Sequence, residues 1–184
     1  MPVWGWVVLA TAVVVVVVLL AWLAWRTQRT RRLKSRFGPE YERTLEERED
    51  RREAEADLTA RQRRRSQLEI KPLETGVRHQ YAEAWQRVQT EFVDQPVEAV
   101  RNADRLVTDV MRARGYPMED FDQRAADVSV DHPHIVDNYR AAHHISLTSN
   151  RNEATTEDLR KAMVHYRSLF SELLEERREE QEAR

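Results

Sequence analysis

The chain contains no cysteine, and its 184 residues include only 4 glycines and 6 prolines. Without cysteine it has no disulfide, no thiolate nucleophile and no cysteine-based zinc site. The scarcity of glycine and proline, together with 34% charged residues, favours helices over turn-rich β structure. Because 30 Lys and Arg are balanced by 32 Asp and Glu, the composition gives no signal for nucleic-acid binding. We therefore predict an all-α protein.

Charge is also absent from one long stretch, which runs from Trp4 to Trp25. As a helix this stretch would be about 33 Å long, close to the thickness of the hydrocarbon core of a bilayer. Indole rings favour the two membrane–water interfaces, and tryptophans stand at both ends of the stretch, at Trp4, Trp6, Trp22 and Trp25. No Lys or Arg precedes it, and no small-residue cleavage motif follows it, so we predict a retained anchor rather than a cleaved signal peptide.

Basic residues follow the predicted span directly. They are Arg26, Arg29, Arg31, Arg32, Lys34 and Arg36. Because cytoplasmic flanks carry an excess of Lys and Arg, we expect the N-terminus outside and the C-terminal part in the cytoplasm, at the inner membrane. The same cations could also bind anionic lipid, although setting the topology is sufficient to account for them.

The rest of the chain divides by its apolar pattern. Gly38 and Pro39 predict the end of one helix and the start of the next. After Tyr41 and Leu45 the apolar stripe stops, which predicts one solvated, charged helix; a coiled-coil docking arm would need a heptad seam that this stretch lacks. The expected organisation is an anchor with its basic segment (1–38), a charged helical spacer (39–67), a helical bundle (68–174) and a charged tail (175–184) that frays into solvent.

Amphipathic helices begin after the spacer, and their apolar faces predict the core of a small helical bundle. The first face is Val77, Tyr81, Ala84, Trp85, Val88 and Phe92, and the second, opened by Pro96 and stopped by Gly115, is Val97, Val100, Ala103, Val107, Val110 and Met111. The third offers Phe121 and Ala125, the fourth Ile135, Tyr139 and Ala142. The last, after a capping box at Thr155–Asp158, is Leu159, Met163, Tyr166, Phe170 and Leu173. This pattern leaves Asp104, at the edge of the second face, without an explanation.

The chain resembles a group of uncharacterised bacterial proteins from actinobacteria, which are helical and anchored in the membrane by a single span. The resemblance rests on three stretches, namely residues 32–41 (RLKSRFGPEY), 114–117 (RGYP) and 124–143. No activity is known for that group. The resemblance therefore implies the architecture and adds no catalytic residue and no cofactor.

Histidines and aspartates are the only candidates for chemistry. They are Asp131, His132, His134, Asp137, His143, His144 and His165. These residue types bind zinc or iron, and Asp131, His132 and His134 are the weak metal candidates. However, no His-Glu-x-x-His pair places two ligands on one helix face. The alternative is structural: His132 would hydrogen-bond across the junction of the third and fourth helices, and Asp131 would cap the fourth.

No catalytic residue can be named from the sequence, because it contains neither a nucleophile elbow nor a glycine-rich phosphate loop. The arginines from Arg61 to Arg65 lie among acids without interleaved aromatic residues, which is typical of a solvated charge run rather than a nucleic-acid site. We predict a membrane-tethered adaptor or scaffold that binds a protein partner. The alternatives are a metal-dependent or otherwise catalytic bundle using the Asp131/His132/His134 region, and a lipid-surface sensor.

Overall fold

The computed structural model of the protein describes residues 3–48, 50–151 and 153–175, and in this part of the chain it contains eight α-helices and no strand. The helices are α1 (Val3–Phe37), α2 (Pro39–Arg48), α3 (Arg51–Arg65), α4 (Thr75–Asp94), α5 (Pro96–Arg114), α6 (Phe121–Asp131), α7 (Val136–Asn150) and α8 (Thr156–Glu175). The predicted all-α class is confirmed. The chain forms two compact units, Met1–Leu58 and Thr59–Arg184, which divide within α3. The predicted tail lies, apart from Glu175, outside the described residues.

The first unit contains α1, which is long and apolar enough to cross a membrane. Every described side chain from Thr11 to Arg29 is exposed, unlike those of a core helix. Gly38, at φ 47°, ends α1 as predicted, and Pro39 opens α2.

The region after Gly38 differs from the predicted solvated helix. It consists of two helices, α2 and α3, each with a buried side. The buried apolar residues of this unit are Leu33, Phe37, Tyr41, Ala54 and Leu58. Hydrogen bonds draw the helices together, since Glu55 on α3 accepts from Thr30 on α1 (2.8 Å) and from Tyr41 on α2 (3.1 Å). The prediction of one helix with nothing to bury is therefore wrong.

The second unit has a single hydrophobic core to which α4–α8 all contribute. Helix α5 contacts α4, α7 and α8, and α7 contacts α6 and α8. The predicted faces of α5 and α8 are confirmed, with Val100, Val107, Tyr166 and Leu173 buried. The capping box is also present: Asp158 N–H donates to Thr155 Oγ1 (3.2 Å) and Thr155 N–H donates to Asp158 Oδ2 (3.1 Å).

The loop between α3 and α4 is held against the end of α5. Gly115 ends α5 in the left-handed conformation at φ 98°, and a Cβ atom there would lie 2.6 Å from the carbonyl oxygen of Glu69. The backbone N–H of Lys71 donates to the carbonyl of Arg114 at 2.8 Å. Only glycine permits both this backbone conformation and this close approach.

Candidate binding groove and buried polar clusters

An open groove of about 480 Å³ lies between α4 and α8 in the second unit. Its floor contains Trp85 of α4 and Phe170 of α8, whose rings stack with centroids 4.7 Å apart. Trp85 is only 6% exposed and Phe170 3%, as their places on the predicted core faces require. The sequence could identify these two faces, but it could not show that α4 and α8 lie side by side.

The rim of the groove is polar and includes two arginines. It carries Arg78, His79, Gln86, Gln89, Arg167, Ser171 and Glu175. The Nδ1 of His79 lies 3.3 Å from Glu83 Oε1, within one helix. An apolar floor with Arg78 and Arg167 above it suits an amphipathic helix with an acidic flank.

Asp104, which the sequence left unexplained, lies at the centre of a polar cluster within the second unit. Tyr166 Oη donates to its Oδ1 at 2.7 Å, and His143 Nδ1 lies 3.7 Å from the same oxygen. The ring of His143 stacks on Phe121 with centroids 3.7 Å apart. Burial acts to raise the pKa of Asp104, but His143 and Tyr166 outweigh it and hold the pKa below its usual 3.8. His143 is therefore a partner of Asp104 in a packed interior.

Asp131 does not cap the fourth helix of the bundle, contrary to the structural alternative considered above. It is the last residue of α6, whereas Ile135 stands at the N-cap of α7 and makes no side-chain cap bond. The Asp131 carboxylate accepts from the guanidinium of Arg65 and from Tyr116 Oη (3.1 Å). Asp131 lies in the last turn of α6, and both of these donors lie outside that helix. The Asp131 carboxylate, which a metal ion would need as a ligand, is therefore engaged in hydrogen bonds to protein groups.

His132 is buried; its side chain contacts α8, and its backbone carbonyl accepts from the N–H groups of Ile135 (3.1 Å) and Val136 (3.2 Å) at the junction between α6 and α7. Its Nδ1 lies 3.3 Å from Glu172 Oε1, and burial lowers its pKa below 6.5 despite that carboxylate. His134 is exposed, as is His144. His165 Nδ1 lies 3.0 Å from Asn138 Oδ1. Within the described residues no group of three His, Asp or Glu side chains could hold a metal ion.

The arginines at the end of α3 make ion pairs within the second unit. Arg64 Nη2 donates to Glu119 Oε2 at 2.8 Å, and its Nε lies 3.3 Å from the fully buried carboxylate of Asp127. Burial nevertheless raises the pKa of Asp127 above its usual 3.8. The sequence shows that these arginines are close to acidic residues along the chain, but it does not show which acidic residues they bind.

The predicted interface residues lie on an exposed helix. Trp4, Trp22 and Trp25 are 71%, 50% and 61% exposed, while the side chain of Trp6 lies outside the described part of the chain. The predicted topology and lipid cations, Arg26, Arg29, Arg31, Arg32, Lys34 and Arg36, are all exposed. Among them, Lys34 Nζ pairs with Glu42 Oε1 at 2.6 Å.

No protein-family model, curated protein or solved structure matches the chain.

Proposed function

We propose that this chain is a single-span protein of the inner membrane whose cytoplasmic helical part binds a protein partner, as an adaptor or scaffold. In this proposal α1 is the anchor. An apolar helix with every described side chain exposed from Thr11 to Arg29 is stable in a bilayer, where its apolar surface leaves water. The α4–α8 core is the bundle that the anchor confines to the membrane surface.

The orientation follows from the cations after the span. With Arg26 to Arg36 on the cytoplasmic side, the N-terminus is outside and the second unit is in the cytoplasm. A reporter fused after Arg184 tests this directly. A phosphatase reporter that requires the periplasm should be inactive there, and a fluorescent protein that matures in the cytoplasm should be bright. The reverse pattern would contradict the orientation.

The groove between α4 and α8 carries the binding part of the proposal. Trp85 and Phe170 form its floor, and Arg78 and Arg167 at its rim favour a partner helix that combines an apolar face with acidic residues. Flanks of this kind steer association and select the partner, because opposite charges attract and a basic flank is repelled. We also propose that the chain is related to the membrane-anchored group that it resembles.

Site-specific photocrosslinking in the native membrane tests the groove. A crosslinker at Gln86, in the groove, should capture one partner, whereas a crosslinker at the exposed Asp122 on α6 should not. The paired reversals Arg78→Glu and Arg167→Glu should remove the Gln86 crosslink without unfolding the protein, because both side chains lie at an open rim. Equal capture from Gln86 and Asp122, or capture that is indifferent to the reversals, would sink the proposal.

A further inference from the structure

One face of α1 carries both tryptophans at the exit of the span and a row of arginines. At 100° per residue, these positions fall within an arc of about 80° on the helix. They are Trp22, Trp25, Arg29, Arg32 and Arg36, called here the tryptophan–arginine stripe. All five side chains are exposed. The arrangement is continuous because α1 is one helix from Val3 to Phe37.

The neighbouring face of the same helix is occupied by protein. Leu33 and Phe37 are buried there, and Thr30 Oγ1 donates to Glu55 of α3 at 2.8 Å. Lys34, further round, has its charge offset by Glu42. Helices α2 and α3 therefore cover one side of the exit segment, whereas the side chains of the stripe are exposed.

The stripe lies at the depth of lipid headgroups if α1 spans the bilayer as proposed above. Trp25 would mark the interface, and Arg29 and Arg32 follow it by about 6 and 10 Å along the axis. Side chains on a helix lean towards its N-terminus, which here is towards the bilayer. The guanidinium groups of Arg29 and Arg32 can thus reach back into a headgroup layer that is about 5–7 Å thick.

The groups of the stripe suit the phosphate of a lipid headgroup that has no positively charged amine beside it, because the arginines supply the positive charge. A guanidinium binds phosphate oxygens in a bidentate manner, and the indole N–H of Trp25 is a further donor. The guanidinium carbon of Arg29 lies 6.0 Å from the Trp25 ring centroid and that of Arg26 lies 5.6 Å from that of Trp22, which restricts both arginines. Helix α1 contains no Asp or Glu that would repel the phosphate.

We propose that Trp25, Arg29 and Arg32 form a binding site for an anionic phospholipid in the leaflet where α1 emerges. The inference rests on the proposed span and goes beyond the adaptor function. Arg31 and Lys34 lie at similar depth but on other faces of α1, and they are not part of the proposed site. A purely diffuse attraction between the membrane and the juxtamembrane charges would make no such distinction.

The test uses the full chain reconstituted in phosphatidylcholine bilayers with trace spin-labelled lipid. Electron spin resonance gives the preference of the protein for phosphatidylglycerol over phosphatidylcholine. We expect Arg29→Gln/Arg32→Gln to lower that preference by about fivefold or more. Arg31→Gln/Lys34→Gln removes the same charge and should change it by less than about twofold. Trp25→Leu, which keeps all charges, should also lower it.

The other outcomes are distinguishable. An equal loss in both double variants, or a preference insensitive to Trp25→Leu, would overturn the site. Loss of the preference on adding inorganic phosphate at constant ionic strength would show a site for free phosphate instead, and would also overturn it. A chain that fails to float with the liposomes would contradict the proposed span itself, before any lipid preference is measured.

Discussion

The hydroxyl of Tyr166 donates a 2.7 Å hydrogen bond to Oδ1 of Asp104, which joins α8 to α5 inside the second unit. The side chain of Asp104 is 29% exposed and lies at the edge of the buried face of α5. A carboxylate in such a place is stable only when donors compensate for its lost hydration. Tyr166 is the donor at hydrogen-bonding distance, and Nδ1 of His143 on α7 lies 3.7 Å from the same oxygen.

We predict that Asp104→Asn destabilises the protein by about 1–2 kcal/mol at pH 7 and by less in acid. The folded pKa of Asp104 is below its unfolded value of 3.8. Its contribution is therefore fully present above pH 3.8 and is lost as the pH falls through the folded pKa. Chemical denaturation at several pH values measures this, with the exposed Asp122→Asn as control. A difference between Asp104→Asn and the wild type that stays constant down to pH 3 would be incompatible with the shift.

His132 should make the stability of the wild type depend on pH in a higher range. Burial lowers its folded pKa below 6.5, so the unfolded chain binds its proton more tightly and stability falls as the pH drops below 6.5. His132→Asn should reduce this slope by up to about 1.4 kcal/mol per pH unit. His134→Asn, on an exposed histidine, is the control. Parallel profiles for His132→Asn and the wild type would argue against a buried neutral imidazole.

Trp85→Ala should cost about 3–5 kcal/mol of folding free energy. The ring is 6% exposed and stacks on Phe170, so its removal leaves a cavity and exposes the floor of the groove. Val93→Ala on the same helix is the control; Val93 is 82% exposed, and its truncation should change stability by less than about 0.5 kcal/mol. Urea unfolding of both variants gives the comparison. Similar values for the two would show that Trp85 contributes little to the core.

A fragment that starts at Thr59 should be more stable than one that starts at Leu68, although we expect both to be soluble and to unfold cooperatively. The shorter fragment lacks Arg64, which lies 3.3 Å from the buried carboxylate of Asp127. An unpaired buried charge is costly, so we expect the shorter fragment to unfold at a lower temperature. Thermal unfolding measures the difference. The substitution Asp127→Asn, made in both fragments, should reduce the difference in their thermal stability. If the difference stays the same, it has another cause than the loss of Arg64.

The identity of the anchor should matter little to an adaptor. Replacing Pro2–Trp25 with an unrelated span of the same orientation, while keeping the chain from Arg26, should preserve the phenotype that a deletion strain reveals, whereas removing the span should abolish it. The reason is that the span contains no Asp, Glu, Lys, Arg, His, Asn or Gln that would specify an intramembrane site. A correctly oriented swap that fails to complement would favour a membrane-embedded complex.

The sequence predicted the helix ends and buried faces that depend only on residues close together in the chain. The start of α5 at Pro96, its end at Gly115 and the buried side of α8 all follow from local residue chemistry and helical spacing. Asp104 could not be explained in this way because its partner Tyr166 is 62 residues away. Periodicity shows that a polar residue lies at a face edge, but it does not show which helix supplies the donor.

The region after Gly38 shows a second limit. A single continuous helix was assumed there, and over such a helix the apolar residues are too sparse to form a stripe. The structure instead interrupts the helix between Arg48 and Arg51, so that Tyr41 and Leu58 belong to separate helices with separate faces. A few residues on each are then enough to be buried in a small unit.

Helix α1 has a mechanical consequence. It continues for 35 residues as an uninterrupted helix, and neither glycine nor proline occurs between Gly5 and Gly38. Such a helix resists twisting, so the angular position of Leu33 and Phe37 is fixed relative to Trp22 and Trp25. One residue inserted after Thr27 would turn these two sets by about 100° against each other. Rotation of the proposed span about its own axis is therefore transmitted as torque to the side of α1 that holds α2 and α3.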